Sequence, residues 1–438
     1  MSKICIPSLA DRRAEGERLR HKLTRVDQAL WKAGPDRDVL ATIKEANVGR
    51  LPKLIPIKMG RMSTSPFAFF RGTAPFMAKD LAGMPVTGLQ VQLCGDAHVK
   101  NLGAYAAPDG HLVFDLNDFD ETIPGPWEWD LKRLAASIVL AGRDAGEKDC
   151  SAAVLEMVRC YRQSLDLFSR MKVLELAKYE IHRQSESKIV TEVLDKAEHV
   201  TPARTLKKLT EPGKDGWPRF HDRLPLLRHV ADEIKACVFK ALIAYRETVT
   251  AGRQLILDAY HPVDVAFKVV GTGSIGTRDY IVLLFGNGLD DPMFLQLKEE
   301  MPSCYAPYLD RVPGFKHEGR RVAQGQQRMQ TVTDPFLGWA TIRERPFLVR
   351  QLADHKAAID PGELRGETLL EYAFVCGRVL AKAHARTGNA AALSGYCGDS
   401  AKLDKAIGKF ALLYADQATS DYQVFLNAIK TGKIEAIH

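Results

Sequence analysis

The rhythm of apolar and polar positions changes several times along the chain. Residues 9–46 carry helical spacing with many charges and predict two amphipathic helices, LADRRAEGERLRHKLTRVDQALW being the longer stretch. Their basic face reads as solvated surface. Residues 50–62, rich in Pro and Lys, predict loop or extended chain. An apolar segment over 65–81 opens at Ser65-Pro66, a helix-start signal, with Gly72 and Pro75 working against its continuity. Two short apolar runs follow, LQVQLC and HLVFDL. Both read as strands, and Pro108-Asp109-Gly110 between them is a hairpin signal. Helical spacing returns over 127–142 and dominates 147–200, where LEMVRCYRQSLDLF is strongly periodic. Residues 201–225 hold four prolines and predict a loop, a lid or a linker; 228–252 predict helix again. At Val263 the texture turns β-rich. VDVAFKVV, RDYIVLLF and MFLQLKE, separated by GTGSIG and GNGLDD, predict a small antiparallel sheet, and RPFLVRQL adds a strand. A helix over 318–331 lies between. From about Glu363 the spacing is helical to the end.

This order predicts an α+β fold. Residues 1–64 form an N-terminal helical extension and 65–255 a helical lobe carrying the polar loops. Residues 256–356 form a small β-rich lobe, and the C-terminal helices of 357–438 return to the helical lobe. There is no internal repeat and no low-complexity segment.

The candidate chemistry lies at the ends of the two early strands. The first run is followed by Gly95, Asp96, His98 and Asn101, the second by Asp118 and Asp120. A carboxylate-amide loop thus stands beside a double-carboxylate loop. Such oxygens suit a hard cation, Mg²⁺ above all. Phosphoryl transfer uses this set: an Asp as base for the attacking hydroxyl, an Asn and an Asp on the metal. Asp96 is then the base and Asn101 and Asp118 are metal ligands. Asp120 holds a second ion or caps the next helix. His98 orients its loop. Lys100 either neutralises a phosphate or is simply solvated, and Asp115, inside a strand, is structural. Gly271, Gly273 and Gly276 spell G-x-G-x-x-G with Ser274 inside. A dinucleotide fingerprint must be followed by a helix, whereas this one is followed by RDYIVLLF. Strand, glycine loop, strand is instead a flap over nucleotide phosphates, where a backbone without Cβ lies against oxygen. Lys298 then stands where the strand-three lysine of kinase-like folds would hold those phosphates; the alternative is an ordinary hairpin turn with a surface lysine.

Cys94-Gly95-Asp96-Ala97-His98-Val99-Lys100-Asn101 resembles the H-G-D-x-H-x-x-N catalytic loop of aminoglycoside phosphotransferases and other protein-kinase-like enzymes, with Cys94 for the leading His. Asn117-Asp118-Phe119-Asp120 resembles their I-D-F-D metal loop, and WEWDLKRLA resembles the helix after it. The resemblance implies a two-lobe kinase-like fold, ATP and Mg²⁺ as cofactors, and Asp130 as a brace for the catalytic loop. In such enzymes the glycine loop and lysine precede the catalytic loop. Here they follow it, so the resemblance implies a circular permutation, which exposed termini tolerate. GRVLAKAHARTG resembles the helix that runs just before the catalytic loop. The usual glutamate partner of the lysine has no clear counterpart in EGRRVAQGQQRMQ, where Glu318 is the only acid. Over nearly its full length the chain also resembles a bacterial family designated domain of unknown function 2252, a likeness that implies no particular substrate.

Composition narrows the classes. No apolar run reaches the ~18 residues of a membrane helix, and no N-terminal segment reads as a secretory signal. Eight cysteines without a C-x-x-C pair argue against zinc and disulfides and fit a cytoplasmic protein. A net charge of +7 is mild for 438 residues, and no basic run or module points to nucleic acid. The expected partners are a nucleotide and an unidentified phosphate acceptor. The expected function is ATP- and Mg-dependent phosphotransfer to a hydroxyl of a small molecule or protein. One alternative is a catalytically silent nucleotide-binding or scaffold protein of the same fold. Another is a metal-dependent phosphoesterase, since G-D-x-H also serves binuclear hydrolases. That chemistry needs more histidines, and His261, His317 and His355 stand apart. Three residues pose questions: Arg71, a charge in the apolar FFRG that needs a partner, either phosphate or an acidic loop residue; His384, read as a satisfied interior histidine; and its neighbour Arg386.

Overall fold

Four short strands carry the two polar loops. β1 (Gln90–Leu93) pairs with β4 (Ile123–Pro126), and β2 (Leu102–Ala106) pairs with β3 (Leu112–Leu116), both antiparallel. One loop, 94–101, runs from β1 to β2; the other, 117–122, runs from β3 to β4. Because the outer strands pair with each other and the inner strands with each other, the two loops leave side by side. Leu93 lies opposite Ile123 and Leu102 opposite Leu116. This is a computed structural model, and it describes residues 6–34, 37–181, 187–269, 271–310, 314–352 and 356–437; His355 lies outside them.

The hairpin expected between LQVQLC and HLVFDL is not formed. The turn at 108–110 joins β3 to LGAYA instead, with Gly110 at φ +91°. LGAYA holds one Gly, two Ala and no β-branched residue, so its strand character was hidden; pairing and burial supply what propensity does not.

β5 (Thr210–Pro212) and β6 (Pro218–Phe220) make a small hairpin. β7 (Leu227–His229), β8 (His261–Lys268), β9 (Asp279–Phe285), β10 (Pro292–Glu299), β11 (Gly338–Ile342) and β12 (Arg345–Gln351) form one antiparallel sheet, ordered β11-β12-β10-β9-β8-β7. The small antiparallel sheet expected from the β-rich runs is therefore present, with β7 and β11 added. Every residue of β9 is buried, because both faces of the sheet are covered. Tyr280, Val282 and Leu284 enter one core with the helix Asp232–Arg246. Ile281, Leu283 and Phe285 enter a second core with Phe220, Leu206 and Leu209.

The helical mass surrounds the four early strands. Trp127–Asp144, Ser151–Arg170 and the C-terminal helix Gly366–Thr387 share the largest core. Gly377 is one reason they approach closely: a Cβ there would come 2.2 Å from the Met157 carbonyl oxygen. The expected pair of helices over 9–46 is Leu9–Leu19 and Val39–Glu45, with a 3-10 turn at Val26–Ala29 between. The segment over 65–81 splits at Thr73 into Pro66–Gly72 and Ala74–Ala82, Ser65 capping the first.

Two loop expectations are corrected. Residues 50–62 hold the helix Ile55–Met62, with Pro56 in the first turn, where a missing N–H leaves no bond unmade. Residues 201–225 hold the helix Pro202–Leu209, opened by Thr201 as cap and Pro202 as first residue, and then the β5–β6 hairpin. The stretch 147–200 is interrupted rather than continuous, with helices Ser151–Arg170, Val173–Ala177 and Lys188–Glu198. Among the described residues every cysteine is a free thiol, and no helix is long and apolar enough to cross a membrane.

Candidate functional site

The first loop is tied to the helix that follows the second. Asp130 accepts the backbone N–H groups of Cys94 and Gly95 at 2.7 and 2.9 Å, and His384 Nε2 lies 3.4 Å from the same carboxylate. His384 Nδ1 meets the Tyr161 hydroxyl at 2.8 Å, so this histidine is a satisfied interior residue. Gly95 takes φ +85°, and a Cβ on it would come 2.3 Å from the Glu121 carbonyl oxygen. Glycine there lets the two loops touch backbone to backbone. Asp96 then projects from the turn. The Arg133 guanidinium reaches its Oδ1 with Nε at 2.7 Å and Nη2 at 2.6 Å. Burial pushes the Asp96 carboxyl above its ordinary range, and Arg133 opposes that shift. His98 Nδ1 accepts the Lys100 N–H at 3.2 Å, its Nε2 lies 3.6 Å from Asp96 Oδ2, and burial keeps its ring neutral. Asn101 donates its side-chain N–H to the Asp96 carbonyl at 2.7 Å. Lys100 is exposed, and Asp115 is spent in a buried ion pair with Lys382.

The sheet meets the second loop through β10. Lys298 ion-pairs with Asp120, 178 positions earlier in sequence, and lies 3.7 Å from Asp118. Burial alone would raise Asp118, but Lys298 and Arg350 outweigh it and hold this carboxyl below the usual range. Asp120 moves the other way, raised by burial and then by repulsion from Asp118. Behind them on the sheet, Gln296 donates to Asp279 at 2.6 Å and accepts from Arg350 at 3.0 Å. Burial lifts the Asp279 carboxyl to about 7. Glu300 is buried with Oε1 unpartnered, and burial raises it strongly. The helix Glu318–Met329 reaches the loop through Arg321, while Lys298 is held by Asp118 and Asp120. Glu318 pairs with Arg321, and Arg321 donates to the carbonyls of Asp120, Thr122 and Met301 at 2.8, 2.6 and 2.8 Å.

The glycine loop closes the third side. Gly271 and Gly276 take φ +72° and +98°. Their loop leans on the N-terminal segment: Arg50 donates to the Ile275 carbonyl at 2.7 Å, the Leu51 N–H to Gly276 at 2.7 Å, and Arg61 to Gly271 at 2.5 Å. A cleft of about 100 Å³ is left between loop, sheet and acidic turns. Asp96, His98, Asn101, Asp118, Asp120, Gly271, Gly273 and Ser274 all line it. Gly276 instead packs on Arg50, and Lys298 lies behind the two carboxylates. Arg71 also lines the cleft, with its Nε buried and unpartnered. Arg386 is satisfied elsewhere, by the carbonyls of Arg328, Ala177 and Gln330.

Several residues of this site carried no signal as a sequence. Arg133 was findable, three positions after Asp130 and so on the same helix face. Lys58, a buried residue lining the cleft, Glu300 and Arg321 matter through burial, and Arg50 through its bond to the glycine loop, none of which spacing reports. Among the described residues no group of three or more His, Cys, Asp or Glu is arranged to hold a metal ion.

Residues 50–428 match the model of a family described as "Uncharacterized protein conserved in bacteria (DUF2252)". The chain belongs to this family. The family match takes in both acidic loops, the glycine loop and Lys298, and it begins at Arg50, so the helix Ile55–Met62 is part of the shared unit while Leu9–Leu19 precedes it. No curated protein and no solved structure matches the chain.

Proposed function

We propose that this cleft transfers the γ-phosphoryl group of ATP to a hydroxyl of a small molecule or protein, within a kinase-like two-lobe arrangement whose parts follow a circularly permuted order. The observation that carries the reading is convergence. A glycine turn between two strands, a lysine on the third strand and two acidic loops encoded far upstream line or back one cleft. Each element has the composition that phosphoryl transfer uses. The order of the sheet, strand–glycine turn–strand–lysine strand–helix–two strands, supports this reading, since a nucleotide-binding lobe of this class would have the same order.

In this reading Asp96 directs an acceptor hydroxyl. Its Oδ1 is held by Arg133 and its Oδ2 is the oxygen left for the acceptor proton. The hydroxyl oxygen bonds to the γ-phosphorus, the bond from that phosphorus to its bridging oxygen breaks, ADP leaves, and the proton passes to Asp96. The glycine loop covers the phosphates, and rate comes from positioning and charge neutralisation. The donor set fits Mg²⁺: the carboxylates of Asp118 and Asp120 and the side-chain oxygen of Asn101 are hard ligands. Mg²⁺ takes one or two carboxylates and completes its shell with water and phosphate oxygens, so no larger protein cluster is required. When bound it would neutralise charge on the transferred group.

Replacing Asp118 with Ala should reduce Mg-dependent ATP consumption by about a hundredfold or more while the circular dichroism spectrum and melting temperature stay near wild type. Undiminished consumption in D118A rejects the assignment. One observation favours a second reading, a catalytically silent nucleotide binder: Lys298 is already neutralised by Asp118 and Asp120, and among the described residues no helix glutamate pairs with it. Saturable ATP binding with no transfer to any acceptor or to the protein itself would select that reading.

A further inference from the structure

The two walls of the cleft are charged oppositely and paired unequally. On the acidic side most carboxylates have their own partners: Asp96 has Arg133, Asp118 and Asp120 have Lys298, Glu299 has Arg278 and Arg345, and Glu121 accepts the Cys304 N–H at 2.6 Å. Glu300 is the exception, with Oε1 unpartnered, and burial favours its neutral form. On the other side stand Arg50, Lys58 and Arg71, all from the chain ahead of the acidic loops. Among the described residues none of the three forms an ion pair. Arg50 donates only to the carbonyls of Ala46 and Ile275, at 2.9 and 2.7 Å. Lys58 is 1% exposed, and among the described residues its ammonium has one hydrogen-bond partner, the neutral Asn47 Oδ1 at 3.2 Å. Arg71 leaves Nε buried with no acceptor.

A buried cation is normally paired, because removing it from water is expensive unless an anion or several acceptors replace the hydration. One buried and two half-buried cations, gathered on one cavity beside a glycine loop, have no carboxylate within ion-pair distance among the described residues; Glu121 acts on Arg50 and Lys58, and Asp96 on Arg71, only at longer range. Burial, and then the neighbouring Arg50, push the Lys58 amine well below its ordinary pKa, and an anion brought beside it would oppose that shift. We propose that Arg50, Lys58 and Arg71 form a phosphate subsite, the half of the cleft that receives the anionic group of a phosphoryl-bearing ligand. Phosphate as the anion rests on the phosphoryl-transfer reading; the assignment goes beyond it by giving the phosphate grip to the helix Ile55–Met62 and its flanks rather than to Lys298 alone. Guanidinium groups suit phosphate oxygens by geometry, and the ammonium adds a point charge.

The test is calorimetric titration of the full chain, without Mg²⁺, by sodium tripolyphosphate, ATP and orthophosphate in turn. Lys58→Met keeps the volume and removes the charge, so the unliganded variant should melt at or above the wild-type temperature. Its dissociation constant for tripolyphosphate should nonetheless rise at least about tenfold. Arg71→Met, at a half-buried position, should behave likewise, and it carries the test alone if K58M does not fold. A loss confined to tripolyphosphate and ATP supports the subsite and assigns it to the donor nucleotide. A loss that extends to orthophosphate supports it and assigns it to a single phosphate, such as one on the acceptor. Affinities within about twofold of wild type in both variants, or a wild-type chain that binds none of the three at millimolar concentration, overturn the proposal. The two readings fail separately. Lys58-dependent binding without Mg-dependent ATP turnover keeps the subsite and removes the transferase, and turnover with unchanged K58M and R71M affinities does the reverse.

Discussion

At the scale of single residues, the site holds more buried charge than its own pairs neutralise, and Asp279 shows the consequence most plainly. It is 3% exposed, one oxygen accepts from Gln296, and the other is unpartnered. Burial raises its carboxyl from 3.8 to about 7. A folded-state pKa above the unfolded value means that the folded chain keeps a proton that the unfolded chain has released. Between those two pH values stability therefore falls as pH rises. Asp279→Asn cannot titrate. Denaturant unfolding from about pH 5 to about pH 8 should show the variant gaining on wild type by about 3 kcal/mol, at roughly 1.4 kcal/mol per pH unit up to the folded pKa. A gap that stays constant across that range would mean the carboxyl is not shifted. Such groups were invisible in the sequence for a physical reason. Asp96, Asp118 and Lys298 were readable because spacing and flanking glycines mark loops and strand ends. Asp279, Lys58 and Glu300 are ordinary polar letters until tertiary contact removes their water.

At the scale of elements, dense runs of β-formers were legible and small-residue strands were not. β8, β9, β10 and β12 stand where VDVAFKVV, RDYIVLLF, MFLQLKE and RPFLVRQL predicted them, while β2 gains its strand character from pairing; β11 (GWATI) holds β-formers but is only five residues long. Glycine marks another kind of information, the distance between elements. On the helix Glu318–Met329, a Cβ at Gly319 would come 2.2 Å from the Phe347 carbonyl oxygen on β12. That approach sets where Arg321 stands when it grips the carbonyls of Asp120, Thr122 and Met301. Gly319→Ala should lower stability by about 2 kcal/mol, the usual cost of overfilling a tight contact, since the neighbour is backbone and cannot swing away. Gly252, in the helix Ala251–Asp258, is the control. A Cβ there meets nothing within 4 Å, so Gly252→Ala should be neutral or stabilise by up to about 0.5 kcal/mol. Equal melting temperatures for G319A and wild type would show that the helix docks more loosely than this geometry implies.

At the scale of the whole molecule, the six-stranded sheet and the helical mass are closed on each other across the cleft, and the closure has a named fastener. Lys298 on β10 holds Asp120 on the far loop, and Arg321 holds the same loop by its backbone. The room left is about 100 Å³, whereas sites for drug-sized ligands run from roughly 300 Å³ upward. Under the phosphotransferase proposal a nucleotide therefore enters only after the sheet and the acidic loop part. Binding is then limited by opening, and the observed association rate saturates as nucleotide concentration rises instead of climbing in proportion. Asp120→Asn weakens the fastener without altering its shape. In stopped-flow mixing with a fluorescent ATP analogue and EDTA, so that no metal takes part, wild type should reach a plateau rate. D120N should reach a plateau higher by about tenfold, the effect of losing roughly 1.4 kcal/mol from a buried charged contact. A rate that rises linearly to millimolar nucleotide in both proteins would show that the cleft already stands open in solution, and the closed contact between Lys298 and Asp120 would then have no part in binding.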